Sequence, residues 1–461
     1  MRGRISESRS GDSSFEGLRV ERHGGAFVAS HPRTGALSAL SPDELVALHV
    51  YYPLRQDPAR ARRSAAAFLE EIGRPAAEAA QFAERLEREG WSRTEPPQPP
   101  EQPLVALYFT VTRRCNLSCP YCYQGLAGRR DTDMSVDDAK AFLGEVHSVN
   151  PACQINITGG EPFLHPRIPD ILRLVDAHGL PFVVLSNGTC IDDRAIAELG
   201  ELSGFRFLQL SIDGATEATH ELTRGRGSFG KVMRTFERVV HAGLPFVLAP
   251  TMHHRNLAEL DQLAVMAIEN GGWCSPNNLR VFPHEGLSFD EVGLTADECL
   301  AGIRGINATL LERFGAERLA DLAGKYRSQA SCEPTIRNAH FRCGAGYSLL
   351  DLDWNGDVFP CHLAKSPKLL LGNLRGTSLE TIFDRAAERG FRVPSHAIPK
   401  CSRCTFVGTC GGGCRAAAWF AYGSARREDD QCELLYRGAL GRLLATRPDL
   451  SDQPFGSTQP V

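Results

Sequence analysis

The chain of 461 residues lacks the features that would place it at a membrane or on a nucleic acid. No apolar run approaches the roughly 20 residues that a transmembrane helix needs. Residues 1–14 are polar, with no hydrophobic signal-peptide core, and we expect them to form a disordered tail. The 51 basic and 55 acidic side chains nearly balance, so charge favours neither a nucleic acid nor a membrane as partner. We therefore expect a cytoplasmic protein.

Cysteine, in contrast, is abundant. Fifteen cysteines in a compartment where thiols stay reduced indicate metal binding rather than disulfides. Cys115, Cys119 and Cys122 form a C-x3-C-x2-C run. Iron–sulfur clusters normally take four cysteines, so a cuboidal cluster held by three keeps one iron free for a small molecule. A zinc knuckle with a distant fourth ligand is the alternative.

Composition divides the chain into regions. Residues 15–94 contain strand-like segments and then helical patterns, with Ser41 as the expected N-cap of the first helix. Residues 95–103 form a stiff proline-rich linker. The expected elements of the first region are strands at Leu18–Glu21 and Ala26–Ser30 and helices at Pro42–Tyr51, Ala59–Ile72 and Ala76–Glu89.

Apolar strands alternate with amphipathic helices over residues 104–313. Such units imply parallel pairing with right-handed crossovers, and an open, partial (β/α)6 barrel closes them naturally. Ligands of such barrels sit at the C-terminal ends of the strands, and the cysteine run follows the first strand. The expected strands are Val105–Val111, Gln154–Ile157, Phe182–Leu185, Phe207–Ser211, Phe246–Pro250 and Leu279–Phe282.

The cysteine run resembles the signature of radical S-adenosylmethionine (SAM) enzymes, including Tyr121 before the last cysteine. Gly159, Gly160 and Glu161, which follow the second predicted strand, resemble the family's motif for the SAM ammonium. The resemblance implies an α/β fold with a radical SAM barrel and a 4Fe–4S cluster whose free iron binds SAM. In this family the reduced cluster cleaves SAM to a 5′-deoxyadenosyl radical, which abstracts a substrate hydrogen.

The resemblance also implies polar contacts to SAM from two later strand ends. Ser186 and Asn187 end the third predicted strand, and Ser211 and Asp213 end the fourth. Arg224 is the candidate whose planar fork would pair with the SAM carboxylate. Its alternative is a surface arginine at a helix start. No catalytic triad is expected, because the protein positions the cofactor and excludes water.

A second cysteine constellation resembles the SPASM extension of radical SAM enzymes, spacing by spacing. The resemblance implies a domain over residues 341–435 with two auxiliary 4Fe–4S clusters. A hairpin at Asn355-Gly356 brings the two arms of the inner site together. Zinc ribbons, which also use C-x2-C pairs, are the alternative. The implied ligands are Cys401, Cys404, Cys410 and Cys432 for the outer cluster and Cys343, Cys361 and Cys414 for the inner one.

Two departures from the family bear on chemistry. The inner set lacks a fourth cysteine, so either Cys332 serves or the site is open to a substrate thiolate, a good soft ligand. Sulfatase-maturing relatives carry a catalytic aspartate where this chain has His362, which argues against formylglycine formation and makes His362 the candidate catalytic residue. Residues 314–340 are expected to bridge the domains, and residues 436–461 to form a C-terminal helix and tail.

Residues 15–94 resemble a recognition element of ribosomally made and modified peptides, a winged-helix-like α+β module that binds leader peptides. A small sheet with an open edge can add a peptide strand, and a stiff linker raises the concentration of the core peptide at the barrel. The alternatives are a DNA-binding winged helix or a passive cap. Glutamates and arginines are mixed in its last helices, so no basic face favours DNA.

Together these resemblances predict a radical SAM/SPASM peptide maturase with three 4Fe–4S clusters and SAM. It would crosslink a precursor peptide, most closely like enzymes that join cysteine sulfur to carbon, using a flavodoxin- or ferredoxin-type electron donor. A maturase that forms carbon–carbon or carbon–oxygen crosslinks is the nearest alternative. A non-catalytic iron–sulfur or zinc scaffold that presents a leader peptide is the alternative of another class.

Overall fold

The computed structural model describes most of the chain, and no helix in the described ranges is long and apolar enough to cross a membrane. The expected tail, most of the linker and Cys332 lie outside the described residues. The described ranges are 17–95, 103–124, 132–280, 293–329 and 343–450.

The N-terminal module is a three-stranded antiparallel sheet in the order β1-β2-β3, followed by three helices. Ser41 caps the first helix as predicted and forms a capping box with Glu44. The third strand was not predicted, because Ala-Leu-Ser-Ala-Leu lacks β-branched and aromatic residues. The elements are β1 Arg19–His23, β2 Ala26–His31, β3 Ala36–Leu40 and helices Pro42–Tyr51, Pro58–Glu71 and Ala76–Arg88.

The second region contains the predicted alternation of parallel strands and helices. Its strands lie side by side in the order β10-β8-β7-β6-β5-β4. The strands are β4 Ala106–Thr112, β5 Gln154–Gly159, β6 Phe182–Ser186, β7 Phe205–Leu210, β8 Phe246–Leu248, β9 Thr251–Met252, β10 Trp273–Cys274 and β11 Asn277–Asn278. The helices are Val136–Val149, Ile168–Ala177, Asp193–Glu201, Glu217–Arg224, Phe229–His241 and Leu260–Glu269.

The sixth strand predicted at Leu279–Phe282 is not formed at residues 279–280, and residues 281–282 lie outside the described residues. The sixth strand is β10, whose Trp273 pairs with Val247 of β8. It starts immediately after Gly272, where an added Cβ would lie 2.2 Å from the Phe246 ring, so the chain enters the sheet through a tight turn. The sheet has room for only two paired residues there, and the following β11 pairs with β9 in a separate ladder.

The C-terminal region continues the barrel sheet. Strand β12 pairs in parallel with β4, and the predicted hairpin at Gly356 returns the chain as β13. The barrel and the cysteine-rich region therefore share one nine-stranded sheet. The elements are helices Ala296–Phe314 and Ala316–Gln329, strands β12 Leu349–Leu352, β13 Asp357–Phe359 and β14 Gly372–Asn373, and helices Leu379–Glu388, Val407–Cys410, Arg415–Tyr422 and Cys432–Ala445.

Candidate active site and metal centres

The three cysteines of the first run lie on the loop that leaves the C-terminal end of β4. Cys119 is buried, while Cys115 and Cys122 are half-buried. Asn116, inside the run, anchors the loop to the end of β6: its Oδ1 accepts a hydrogen bond from Asn187 Nδ2 at 3.0 Å. The run therefore sits at the end of the barrel where ligands of parallel sheets bind.

Two glycines let this loop approach the end of β5. Gly160 N donates to Thr112 O at 2.9 Å, and Glu161 N donates to Arg114 O at 2.7 Å. An added Cβ would lie 2.2 Å from Thr112 O at Gly159 and 2.1 Å from Arg114 O at Gly160. Gly159 also has a φ of +146°, which side chains disfavour. Any larger residue would push the cysteine loop away from the strand ends.

Glu161 joins two strand ends from a completely buried position. Its carboxylate accepts hydrogen bonds from Ser186 Oγ at 2.8 Å, Asn187 N at 2.8 Å and Phe163 N at 3.2 Å. Burial raises the pKa of Glu161 to about 7, although these hydrogen bonds act in the opposite direction. Glu161, Ser186 and Asn187 are thus one hydrogen-bonded unit directly beside the cysteine loop.

Asp213, at the end of β7, is the centre of a second unit. It is fully buried and accepts from Arg224 Nε at 2.6 Å and Nη2 at 3.2 Å, while Tyr121 OH also donates to it. Burial opposes its ionisation, but the Arg224 guanidinium outweighs that effect and lowers the pKa of Asp213 to about 2. A buried carboxylate requires a counterion, and Arg224 supplies it. Contact of the Arg224 fork with the SAM carboxylate stays a prediction.

His253 was missed by sequence reasoning. It follows β9, is fully buried, and neither ring nitrogen has a hydrogen-bond partner among the described residues. Its ring centroid lies 6.4 Å from that of Tyr121, beside the second unit. Burial lowers the pKa of His253, so the ring is neutral at pH 7 and offers one donor and one acceptor. Ser211 contributes a backbone hydrogen bond to Ser186 O at 3.0 Å.

We predict that Arg224→Met destabilises the protein by about 3–5 kcal/mol at pH 7, because it leaves the Asp213 carboxylate buried without a counterion. The native pKa of Asp213, about 2, lies below its ordinary value of 3.8. The pair's contribution is therefore complete above about pH 4 and is lost as the pH falls through 2. Urea unfolding measures the change. The double variant Asp213→Asn/Arg224→Met should recover most of the loss; equal loss in both variants would contradict this account.

Three cysteines of the C-terminal region meet beside the hairpin. The segment after Cys343 returns to the end of β13, where Gly346 N donates to Pro360 O at 2.8 Å. Burial raises the pKa of Cys361 well above its ordinary value, and the Cys414 and Cys343 thiolates raise it further. The Cys361 thiol is therefore protonated when no metal is present. Binding of a cationic cluster would deprotonate it, because thiolates are the ligands.

The other four cysteines form a separate group. Burial raises the pKa of Cys401 to about 12, and the neighbouring Cys410, Cys432 and Cys404 thiolates add to the rise. Cys432 begins the last long helix. In the part of the chain that the structure describes, no three histidine, cysteine or acidic side chains converge tightly enough to hold a single metal ion. The thiols of each group are close enough to raise one another's pKa. Their side chains do not converge on a single metal position in the described structure.

A triple-glycine turn separates the two groups. Gly411, Gly412 and Gly413 all have positive φ, from +66° to +84°, between Cys410 and Cys414. An added Cβ at Gly413 would lie 2.4 Å from Asp429, whose Oδ2 accepts a hydrogen bond from Cys414 N. The turn thus presents one thiol to each group.

His362 follows Cys361 and points into the barrel. Its ring stacks on Tyr108 at 3.8 Å and meets Tyr123 edge-on at 5.4 Å. Burial, followed by the nearby Lys365 ammonium, lowers the pKa of His362 to about 3. The imidazole is therefore neutral at pH 7, and its buried Nδ1 has no hydrogen-bond partner among the described residues.

Comparison with known proteins places this geometry in context. Residues 109–267 match the radical SAM superfamily model, and residues 343–405 match the SPASM iron–sulfur cluster-binding domain. The AdoMet-dependent heme synthase of Methanosarcina barkeri is 27% identical over 71% of this chain and 95% of its own length. The mycofactocin maturase MftC of Mycolicibacterium smegmatis is 25% identical over 71% of this chain and 82% of its own.

The fold has a solved counterpart. Streptococcus suis SuiB bound to its precursor peptide SuiA aligns with a TM-score of 0.59 at 16% identity. The alignment covers 91% of this chain and 99% of SuiB. Together with the family models, this likeness confirms the predicted radical SAM fold and its C-terminal iron–sulfur domain.

Proposed function

We propose that this chain, a radical SAM enzyme with a SPASM domain that uses SAM and 4Fe–4S clusters, modifies a ribosomally made precursor peptide. The observation that carries the peptide is the N-terminal module, a three-stranded sheet attached to the SPASM domain. SuiB, which aligns over nearly the whole chain, was solved with a precursor peptide, and MftC is a maturase. The heme synthase is equally similar in sequence, so the substrate class rests on the module.

The first-run cysteines, Cys115, Cys119 and Cys122, would hold the SAM-binding cluster. Once bound beside that cluster, SAM supplies a 5′-deoxyadenosyl radical. The chain's residues would orient it: Gly159 and Gly160 let the cysteine loop pack against the strand ends, and the units around Glu161 and Asp213 form neighbouring walls. The ring nitrogens of His253, which have no partner in the described part of the chain, would make a further polar contact.

For the product, we propose a thioether between a cysteine sulfur and a carbon of the same peptide. The inner cysteine group would hold a cluster with a position open to the substrate thiolate. His362 lies next to this group. Because its ring is neutral at pH 7, it would act as a hydrogen-bond partner for the substrate and not as a general acid. Carbon–carbon or carbon–oxygen crosslinking becomes the better proposal if Cys332, outside the described residues, closes the inner site.

The direct test is mass spectrometry of the precursor after anaerobic incubation with SAM and a reductant. The expected product lacks two hydrogens, and its free thiol no longer reacts with an alkylating reagent. Loss of two hydrogens with an alkylatable thiol would redirect the assignment to a carbon–carbon or carbon–oxygen bond. A physiological flavodoxin or ferredoxin should replace the chemical reductant.

We predict that Cys332→Ala keeps all of the roughly twelve iron atoms expected for three cuboidal clusters. A cysteine-containing peptide should then change the electron paramagnetic resonance spectrum of the inner cluster, and the same peptide with serine should not. Iron analysis and spectroscopy measure both results. Loss of one cluster in Cys332→Ala would show a closed site and remove the basis for the thioether.

A further inference from the structure

The interior of the barrel has a polar side made by three neighbouring strands. The parallel registers place Asp351 of β12 beside Tyr108 of β4, and Tyr108 beside Asn156 of β5. Their sequence neighbours, such as Leu350 and Ile155, pack into the hydrophobic core under the outer helices. Because side chains alternate along a strand, the row Asp351–Tyr108–Asn156 faces inward.

Two members of this row carry polar atoms that are buried and unused. Asp351 is 0% exposed; its Oδ1 lies 2.9 Å from Lys365 Nζ, whereas its Oδ2 has no partner in the described part of the chain. Asn156 is 5% exposed; its Oδ1 accepts from Gln154 Nε2 at 2.9 Å, whereas its Nδ2 has no partner there. Burying such groups unpaired is costly, so one free acceptor and one free donor in a single row indicate an external partner.

The row lies deeper in the barrel than the candidate SAM contacts. Asn156 precedes Gly159 by three positions, about 10 Å along β5 at the usual rise of a strand. Tyr108, between these two groups, is covered by the His362 ring, whose Nδ1 has no partner among the described residues and lies beside the inner cysteine group. A molecule in contact with this row would thus lie between the SAM site and the Cys361 group.

We propose that Asn156 and Asp351 bind the backbone of the core peptide inside the barrel. Asn156 Nδ2 donates to a peptide carbonyl, and Asp351 Oδ2 accepts from a peptide N–H. Two strand spacings separate their backbones by about 10 Å, the length of roughly three residues of extended peptide. These contacts involve only the peptide backbone, so they do not depend on the side chains of the core peptide. They hold the core peptide in the barrel, and other residues of the enzyme determine which peptide residue is crosslinked. This inference rests on the proposed peptide substrate.

The nearby charges fix the state of the acceptor. Burial raises the pKa of Asp351 to about 6, while Lys365 opposes the rise. Lys365 Nζ also donates to Thr110 Oγ1 at 2.7 Å and lies 3.8 Å from Asp353 Oδ1. Asp353 is paired with Arg113, two residues before Cys115. The network keeps Asp351 ionised at pH 7 and ties the row to the cysteine loop.

Asn156→Ala and Gln154→Ala form a matched pair that tests the donor. Both remove the internal Gln154–Asn156 hydrogen bond, but only Asn156→Ala removes the free Nδ2. We expect similar melting temperatures, and about tenfold higher KM for the precursor in Asn156→Ala than in Gln154→Ala, the value of one hydrogen bond. Peptide-independent SAM cleavage should match wild type in both. Equal KM values would overturn the proposal and show that water or nothing pairs with Nδ2.

Asp351→Asn tests the acceptor, because it replaces Oδ2 or its partner oxygen by an NH2 donor at constant shape. We expect a higher KM for the precursor and more 5′-deoxyadenosine released per crosslinked peptide, with the KM for SAM unchanged. A fall in melting temperature with normal precursor KM and coupling would assign Asp351 a structural role only. If the wild type modifies its precursor and these variants behave like it, this inference is refuted but the proposed function is not. Failure of wild type on any precursor refutes the proposed function as well.

Discussion

Replacing Cys115, Cys119 and Cys122 together by alanine should abolish SAM cleavage and remove about four iron atoms per chain, one cuboidal cluster. All three thiols lie on one loop at the C-terminal end of β4, whereas the expected ligands of the two auxiliary clusters lie on a different part of the chain, between residues 343 and 432. The two auxiliary clusters should therefore remain. Anaerobic reconstitution, iron and sulfide analysis, and chromatographic assay of 5′-deoxyadenosine measure the result.

Cys153→Ala is the matched control for this variant. Cys153 is also a cysteine of the barrel, but it is fully buried in the hydrophobic core immediately before β5. Its replacement should leave all iron and all SAM cleavage in place and change only the melting temperature. Stoichiometric zinc with no iron after anaerobic preparation of the wild type would contradict the whole assignment and favour the zinc-binding scaffold.

The sequence predicted those parts of the site that depend on local spacing. The cysteine runs, the Gly159-Gly160-Glu161 turn and the Asn355-Gly356 hairpin are each a few residues long, so their patterns are visible without a fold. The ends of the three helices predicted within residues 15–94 agree with the structure to within one residue, because caps and periodicity are local. Strand β10 was misplaced because two paired residues carry no detectable alternation, and a tight glycine turn rather than a pattern sets its start.

Contacts between distant strand ends could not be predicted in the same way. Arg224 pairs with Asp213 and not with solvent, because the helix that follows β7 returns its last residue to the strand end. His253 and Asn156 look like ordinary loop and strand residues in the sequence. Only the fold shows that their side-chain nitrogens are buried and have no hydrogen-bond partner among the described residues.

The docking of the N-terminal module is the largest feature that the sequence did not indicate. The helix Cys432–Ala445 covers the open face of its three-stranded sheet, with Leu444 packed against Ala26 and Ala39. Glu21 of β1 accepts hydrogen bonds from Thr405 and Tyr436. The hydrogen bond from His23, together with these two, lowers the pKa of Glu21 to about 2, although burial acts in the opposite direction. The helix that begins at Cys432, an expected ligand of the outer cluster, thus packs against the sheet of the module.

Arg447 closes one end of the module's sheet. Its Nη1 donates to Ala39 O of edge strand β3 at 3.0 Å and to Glu44 Oε2 at 2.7 Å. This carbonyl is therefore already used, and an added peptide strand would find free backbone groups elsewhere along an edge. A leader peptide that added a strand to this sheet would consequently lie beside the C-terminal segment.

Deleting residues 1–94 should reduce turnover of a leader-bearing precursor by about 100-fold while SAM cleavage continues, because the effective concentration supplied by leader binding is lost. The deletion also exposes apolar residues that the module covers, among them Phe406 and Leu444. Loss of turnover alone would therefore not separate recognition from damage to the outer cysteine group. Iron content and precursor turnover have to be measured on the same preparation.

A leaderless core peptide separates the two effects. It cannot use the module, so the full-length and truncated enzymes should modify it at equal rates when the SPASM domain is intact. Truncation that slows the leader-bearing precursor alone assigns leader recognition to the module. Equal slowing of both substrates, together with about four iron atoms lost, would instead show that the module stabilises the outer cluster through the Cys432 helix. An unchanged rate on the leader-bearing precursor would mean that the sheet binds no leader, and the peptide assignment would lose the observation that carries it.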